Sequence, residues 1–128
     1  MTFPRDLSYT RDHEWARIEG DVIRVGITAY AVEQLGDVTL VDLPSVGTDV
    51  QAHERFGDIE SVKTVSELFA PVSGEIVEVN EELESSPELV NEAPYEAGWI
   101  VAIKASDPGE FKQLMDAATY ENHLSDID

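Results

Sequence analysis

One lysine, set at the centre of a palindrome, is the residue best placed to do chemistry in this 128-residue chain. The stretch Glu60-Ser61-Val62-Lys63-Thr64-Val65-Ser66-Glu67 reads the same outward from Lys63-Thr64. It predicts a hairpin with Lys63-Thr64 as a two-residue loop, Val62 facing Val65, Ser61 facing Ser66 and Glu60 facing Glu67. That loop lacks the Gly, Asn or Asp such turns prefer. Glu60 opposite Glu67 adds a like-charge repulsion of ~0.2–1 kcal/mol. Local conflicts of this kind are expected where function sets the sequence. Lys63 is also isolated: the chain holds three lysines, and nine glutamates but no Lys or Arg lie between Lys63 and Lys104. Two readings follow. One is an ordinary solvated turn lysine. The other is a lysine held out for acylation, whose neutral amine is a nucleophile and whose four-carbon stem extends the reach of whatever is attached.

The other reactive residue types are dispersed. With no cysteine, disulfides, zinc-thiolate sites and cysteine nucleophiles are excluded. His13-Glu14 and His53-Glu54 lack the His-Glu-x-x-His spacing of a helical zinc site, and His123 stands alone. Ser73-Gly74 lacks the Gly-x-Ser-x-Gly frame of a nucleophile elbow. No glycine loop of phosphate-binding form is present. Among 27 acidic residues some carboxylate pair arises by chance, so a glycosidase-type acid and base carry no signal here.

The acidic residues outnumber 8 basic ones, giving a formal charge of −19. Such a surface repels nucleic acid and anionic membranes and attracts basic partner surfaces. Hydrophobic residues at 42% suffice for a core, so the acidity does not imply disorder. Met1-Thr2-Phe3-Pro4-Arg5-Asp6 lacks the apolar run of a signal peptide, and no apolar stretch nears the ~20 residues of a membrane span. A soluble, cytoplasmic protein is expected.

The elements that must position Lys63 read as mainly β. A single domain over 1–128 is expected, with a β unit over about 7–105 and a C-terminal helical segment over about 107–124. Trp15 to Ile18 and Val22 to Ile27 predict strand, turn and strand, with Ile23, Val25 and Ile27 alternating. Thr28 caps a short helix from Ala29 to about Leu35, Ile27 and Val32 form a staple, and Gly36 stops it. Further strands are expected at Val38 to Leu43, Phe56 to Val62, Val65 to Phe69, Glu75 to Val79 and Trp99 to Lys104. Glu81 to Gly98 reads as an acidic surface excursion with one helical turn. Asp107-Pro108-Gly109-Glu110 predicts an N-cap, a first-position proline and a capping-box glutamate. Phe111, Leu114, Met115 and Ala118 then share one helical face. Trp15 and Trp99 are expected in the core.

Glu60-Ser61-Val62-Lys63 followed by Ala70-Pro71-Val72-Ser73-Gly74-Glu75-Ile76 resembles the lipoyl and biotinyl carrier domains. Biotinyl domains usually place Met on both sides of the lysine; Val62 and Thr64 stand there, which disfavours biotin. Tyr9 with His13-Glu14-Trp15, Val25-Gly26-Ile27-Thr28, Gln34-Leu35-Gly36-Asp37 and Val41-Asp42-Leu43-Pro44 are similar to the glycine cleavage system H-protein family. So are Pro87-Glu88-Leu89-Val90-Asn91, Pro94-Tyr95 and Gly98-Trp99. The resemblance runs from about Leu7 to about Tyr120.

It implies a flattened barrel of two antiparallel sheets with short helices, and lipoate in amide linkage on Lys63. It implies a non-catalytic carrier. The partners it implies are a decarboxylating P protein that loads an aminomethyl group, a tetrahydrofolate-dependent T protein that removes it, an L protein that reoxidises the dithiol, and a lipoate-attaching enzyme. A monomer is expected. A lipoyl donor or relay for other enzymes is the alternative role. In this family the loaded arm folds into a cleft, and its contacts map onto Glu14, Asp12 and Glu67. The family also places serine where Asp12 stands and aspartate where Glu67 stands. A carboxylate beside the carried amine favours its ammonium form. Protonation removes the lone pair that would expel the thiolate, so Glu14 is expected to protect the cargo from water.

Overall fold

The computed structural model describes residues 2–127. The alternating stretch after Gly20 forms the expected hairpin: β2 (Glu14–Glu19) pairs with β3 (Val22–Ile27), Trp15 opposite Gly26 and Ile18 opposite Ile23. Gly26 is required by its partner, since a Cβ there would come within 2.6 Å of the Trp15 indole. Next, α1 (Ala29–Leu35) starts where Thr28 Oγ1 accepts from Ala31 N and stops at Gly36. Ile27 and Val32, the expected staple, belong to one apolar cluster.

The remaining elements are β1 (Ser8–Tyr9), β4 (Val38–Asp42), β5 (Asp49–Val50), β6 (Arg55–Ser61), β7 (Val65–Phe69), β8 (Gly74–Val79) and β9 (Val101–Ala105). Two antiparallel sheets result, ordered β1-β2-β3-β9-β8-β5 and β4-β6-β7. The expected barrel is corrected in one respect: the sheets are open, and no ladder joins them among the described residues. At the end of β7 a side chain links the two sheets: Phe69, opposite Arg55 in its own ladder, donates its backbone N–H to the Glu14 carboxylate of β2.

The main core lies between the sheets and includes Val25, Ile59, Leu68, Val72, Ile76 and Ile103. A second cluster joins Phe3, Leu7, Tyr9 and Trp15 to the C-terminal helix. Trp15 is fully buried, as expected, with its indole N–H donating to Pro94 O. Trp99 is only half-buried and carries the Arg24 guanidinium 4.3 Å above its ring.

The acidic excursion holds two single-turn helices rather than one, α2 (Glu82–Ser85) and α3 (Leu89–Glu92), pinned by buried Leu83 and Val90. The C-terminal segment also differs from expectation. Asp107 does cap the turn, accepting from Gly109 N, but Pro108–Gln113 is a 3-10 helix. Glu110 closes no capping box; its carboxylate accepts from Ser73 N at 2.8 Å and Ser73 Oγ at 3.0 Å. The expected apolar stripe through Ala118 is broken at Met115, whose backbone pairs with Tyr9. That pairing covers the outer edge of β1 and ends the first helical run. The α-helix proper, α4, is Ala117–Ile127, and it buries Ala117, Tyr120 and Leu124 while Ala118 faces out.

Candidate functional site

The hairpin β6–β7 forms, with a register shifted by two residues from the palindromic one. Glu60 faces Val65, Ile59 faces Ser66 and Asp58 faces Glu67. A shift of two leaves every side chain on its own face, so the apolar pattern alone does not separate the two registers. The turn and one arginine separate them. Ser61 N donates to Thr64 O at 2.8 Å, and Ser61 Oγ accepts from the backbone N–H of Lys63 and of Thr64. The loop residues are therefore Val62 and Lys63. Arg55 pairs with Asp58 and lies 3.6 Å from the Glu67 carboxylate, which offsets the like charges that face each other.

Lys63 stands exposed at this tip, between exposed Val62 and Thr64. Its stem passes over Gly36: a Cβ built on that glycine would meet Lys63 Cε at 3.4 Å. Gly36 is itself held by Asn91 of α3, whose amide donates to Gly36 O and accepts from Val38 N, each at 2.8 Å. The acidic excursion thus braces the backbone beneath the lysine.

Beside the tip lies a cleft of about 290 Å³. Asp12, Glu14 and Glu67 all line it, together with Thr64 of the hairpin and Tyr30, Gln34 and Leu35 of α1. The three carboxylates named from the sequence are therefore gathered at one place, with Lys63 one residue from its wall. Asp12 and Glu67 are exposed, whereas Glu14 is only 1% exposed.

Glu14 is held on both oxygens. Thr10 Oγ1 donates to Oε1 at 2.7 Å, and Phe69 N donates to Oε2 at 3.3 Å. Burial pushes its carboxyl up to about 8; the Thr10 and Phe69 hydrogen bonds oppose that shift, and neighbouring Asp12 adds to it. A cation entering the cleft would reverse the balance and favour the carboxylate.

The turn carrying Asp12 and Glu14 is fixed from behind. His13 has a left-handed backbone, φ 72°, and its Nδ1 lies 2.8 Å from the Tyr120 hydroxyl. Sequence reasoning missed Thr10, Tyr30, Gln34 and Tyr120. Thr10 lies four residues before Glu14, a spacing that leaves a hydroxyl within reach across a tight turn. Tyr30 and Gln34 share an i, i+4 face of α1. Nothing local pointed to Tyr120.

No group of three or more His, Cys, Asp or Glu arranged to hold a metal ion occurs among the described residues.

The model of the family described as glycine cleavage H-protein matches residues 7–127. A glycine cleavage system H protein of Bacillus licheniformis is 51% identical over 126 residues, covering 98% of this chain and 99% of that one. A namesake from Anaeromyxobacter sp. (strain K) is 56% identical over 121 residues, 94% of each chain. A crystal structure of a glycine cleavage system H protein from Mycobacterium marinum superposes with a TM-score of 0.88 at 44% identity, covering 96% of this chain and 99% of that one. With the fold, the lysine-bearing hairpin and this full-length similarity in agreement, the chain belongs to the glycine cleavage H-protein family.

Proposed function

We propose that this chain is the carrier component of a glycine cleavage system, with lipoate in amide linkage on Lys63. The observation that carries the reading is an exposed lysine at a hairpin tip, one residue from a carboxylate-lined cleft. The residues present fit such a group. The Lys63 amine is free to be acylated from solvent, Gly36 offers no side chain against its stem, and the cleft has an apolar floor of Ile27, Leu35, Ile59 and Leu68. When bound, lipoate supplies a disulfide that accepts the aminomethyl group derived from glycine and a dithiol that is later reoxidised.

Everything else is binding and proton holding. The apolar floor receives the arm and excludes water. The Glu14 carboxylate receives the cationic amine and keeps the proton on its nitrogen, with Asp12 and Glu67 adding negative charge at the mouth. No step requires this chain to be a catalyst. The partners are the P, T and L proteins and a lipoate-attaching enzyme. The charge of −19 favours docking against basic rims around their active sites. No helix among the described residues is long and apolar enough to cross a membrane. A cytoplasmic monomer suits a carrier that visits several enzymes in turn.

Mass spectrometry of protein from its native cell tests the attachment. The expected result is a lipoyl increment on the peptide containing Lys63, lost in Lys63→Arg together with P-protein-dependent glycine exchange. An unmodified Lys63, in cells whose other lipoyl proteins are modified, overturns the reading.

A further inference from the structure

Buried Thr10 carries no assigned role, yet its hydroxyl is the hub of the turn that presents two cleft carboxylates. Its Oγ1 donates to Glu14 Oε1 at 2.7 Å and accepts from Asp12 N at 3.2 Å and Glu14 N at 3.1 Å. The backbone closes the same ring, Thr10 N donating to Glu14 O and His13 N to Thr10 O. A hydroxyl has one proton and two lone pairs. All three are used here, so the proton has one place to go: the carboxylate. Phe69 N then takes the other oxygen.

We infer that Thr10 is the positioning residue for the cargo cleft: its hydroxyl fixes the Glu14 carboxylate in the orientation that receives a cationic amine. This rests on the reading of Glu14 given above. Two features of the site separate it from ordinary turn-closing. First, Thr10 is 5% exposed and Glu14 1%, so no bulk water substitutes for the hydroxyl when it is removed. Second, a donor to a carboxylate favours the ionised form, which is the form an ammonium ion needs. The groups facing Glu14 from the surrounding elements are Asp12 and His13 of the turn, Tyr30 of α1, Glu67 of β7 and Tyr120 of α4. Asp12 opposes ionisation of Glu14 by like charge, while the Thr10 hydroxyl and the Phe69 N–H promote it by hydrogen bonding.

Thr10→Val keeps the shape and removes the donor; Thr10→Ser keeps the donor. The first readout needs no cofactor: the Glu14 carboxyl carbon is titrated by NMR in the unmodified protein. Its midpoint is expected to rise by about one pH unit in Thr10→Val, the weight of one hydrogen bond to a charged group, and to return in Thr10→Ser. The second readout is decay of the loaded protein in water, R–S–CH2–NH3+ + H2O → R–SH + CH2O + NH4+, followed by formaldehyde release. Its pH–rate profile is expected to move to lower pH in Thr10→Val, with decay at pH 7 roughly tenfold faster, and to be restored in Thr10→Ser. An unmoved Glu14 midpoint in Thr10→Val overturns the inference. Unchanged decay in Thr10→Val, with Glu14→Gln decaying fast, also overturns it and leaves the role of Glu14 standing. Unchanged decay in both variants overturns the role of Glu14 and the inference together.

Discussion

The Tyr120 hydroxyl sits between His13 Nδ1 at 2.8 Å and Thr28 Oγ1 at 2.9 Å, so one residue of the C-terminal helix touches both segments that wall the cleft. His13 separates Asp12 from Glu14, and Thr28 caps α1. The Tyr120 ring stacks on Tyr9 with centroids 4.8 Å apart and planes 7° from parallel. Helix α4 therefore fixes the cleft although it lines none of it.

Tyr120→Phe keeps that stack and deletes both hydroxyl contacts. Buried Thr28 and half-buried His13 each lose a hydrogen bond, so a destabilisation of about 1–3 kcal/mol is expected. A urea titration reads it as a lower midpoint with an unchanged slope. An unchanged midpoint would show that water replaces the hydroxyl.

Glu14 makes the free protein pH-sensitive in a defined direction. Its carboxyl is raised from 4.5 to about 8, chiefly by burial. Between those values the folded state keeps a proton that the unfolded state releases, so stability falls as pH rises. The slope is about 1.4 kcal/mol per pH unit at most. Glu14→Gln removes this dependence. Its stability relative to the parent should therefore improve steadily from pH 5 to pH 8, measured by urea unfolding across that range. A difference that does not vary with pH contradicts the buried, protonated carboxyl.

Gly36 has φ 77° and ψ −154°, a conformation that side-chain-bearing residues avoid. Gly36→Ala should cost about 1–3 kcal/mol from backbone strain. The new methyl would meet Lys63 Cε at 3.4 Å, an ordinary contact, so the loss is conformational rather than a clash. Thermal unfolding measures the cost, and mass spectrometry should still find Lys63 modified. Loss of modification in a folded Gly36→Ala protein would instead mean that the lysine stem needs the bare glycine.

What the chain declared on its own was local. Thr28, the apolar spacing and Gly36 specified α1 from Ala29 to Leu35, because caps and helical period are written within a few residues. Alternation located β3, and the palindrome located a hairpin with Lys63 at its loop and β7 as one arm. The acidity and the missing cysteines were likewise plain from composition.

Tertiary structure decided what depends on a distant partner. The hairpin register was settled by the Ser61 turn and by Arg55 reaching both Asp58 and Glu67, since a two-residue slip leaves the apolar pattern intact. Glu110 turned from its own helix to Ser73, 37 residues away, because buried polar groups take the partner that space provides. Met115 left its helical face to pair with Tyr9. Glu14, singled out among 27 acidic residues only by family resemblance, became a buried carboxyl because folding set Thr10 and the Phe69 N–H against it and removed its water. Burial and long-range hydrogen bonding have no period along the chain, so only the folded molecule shows them.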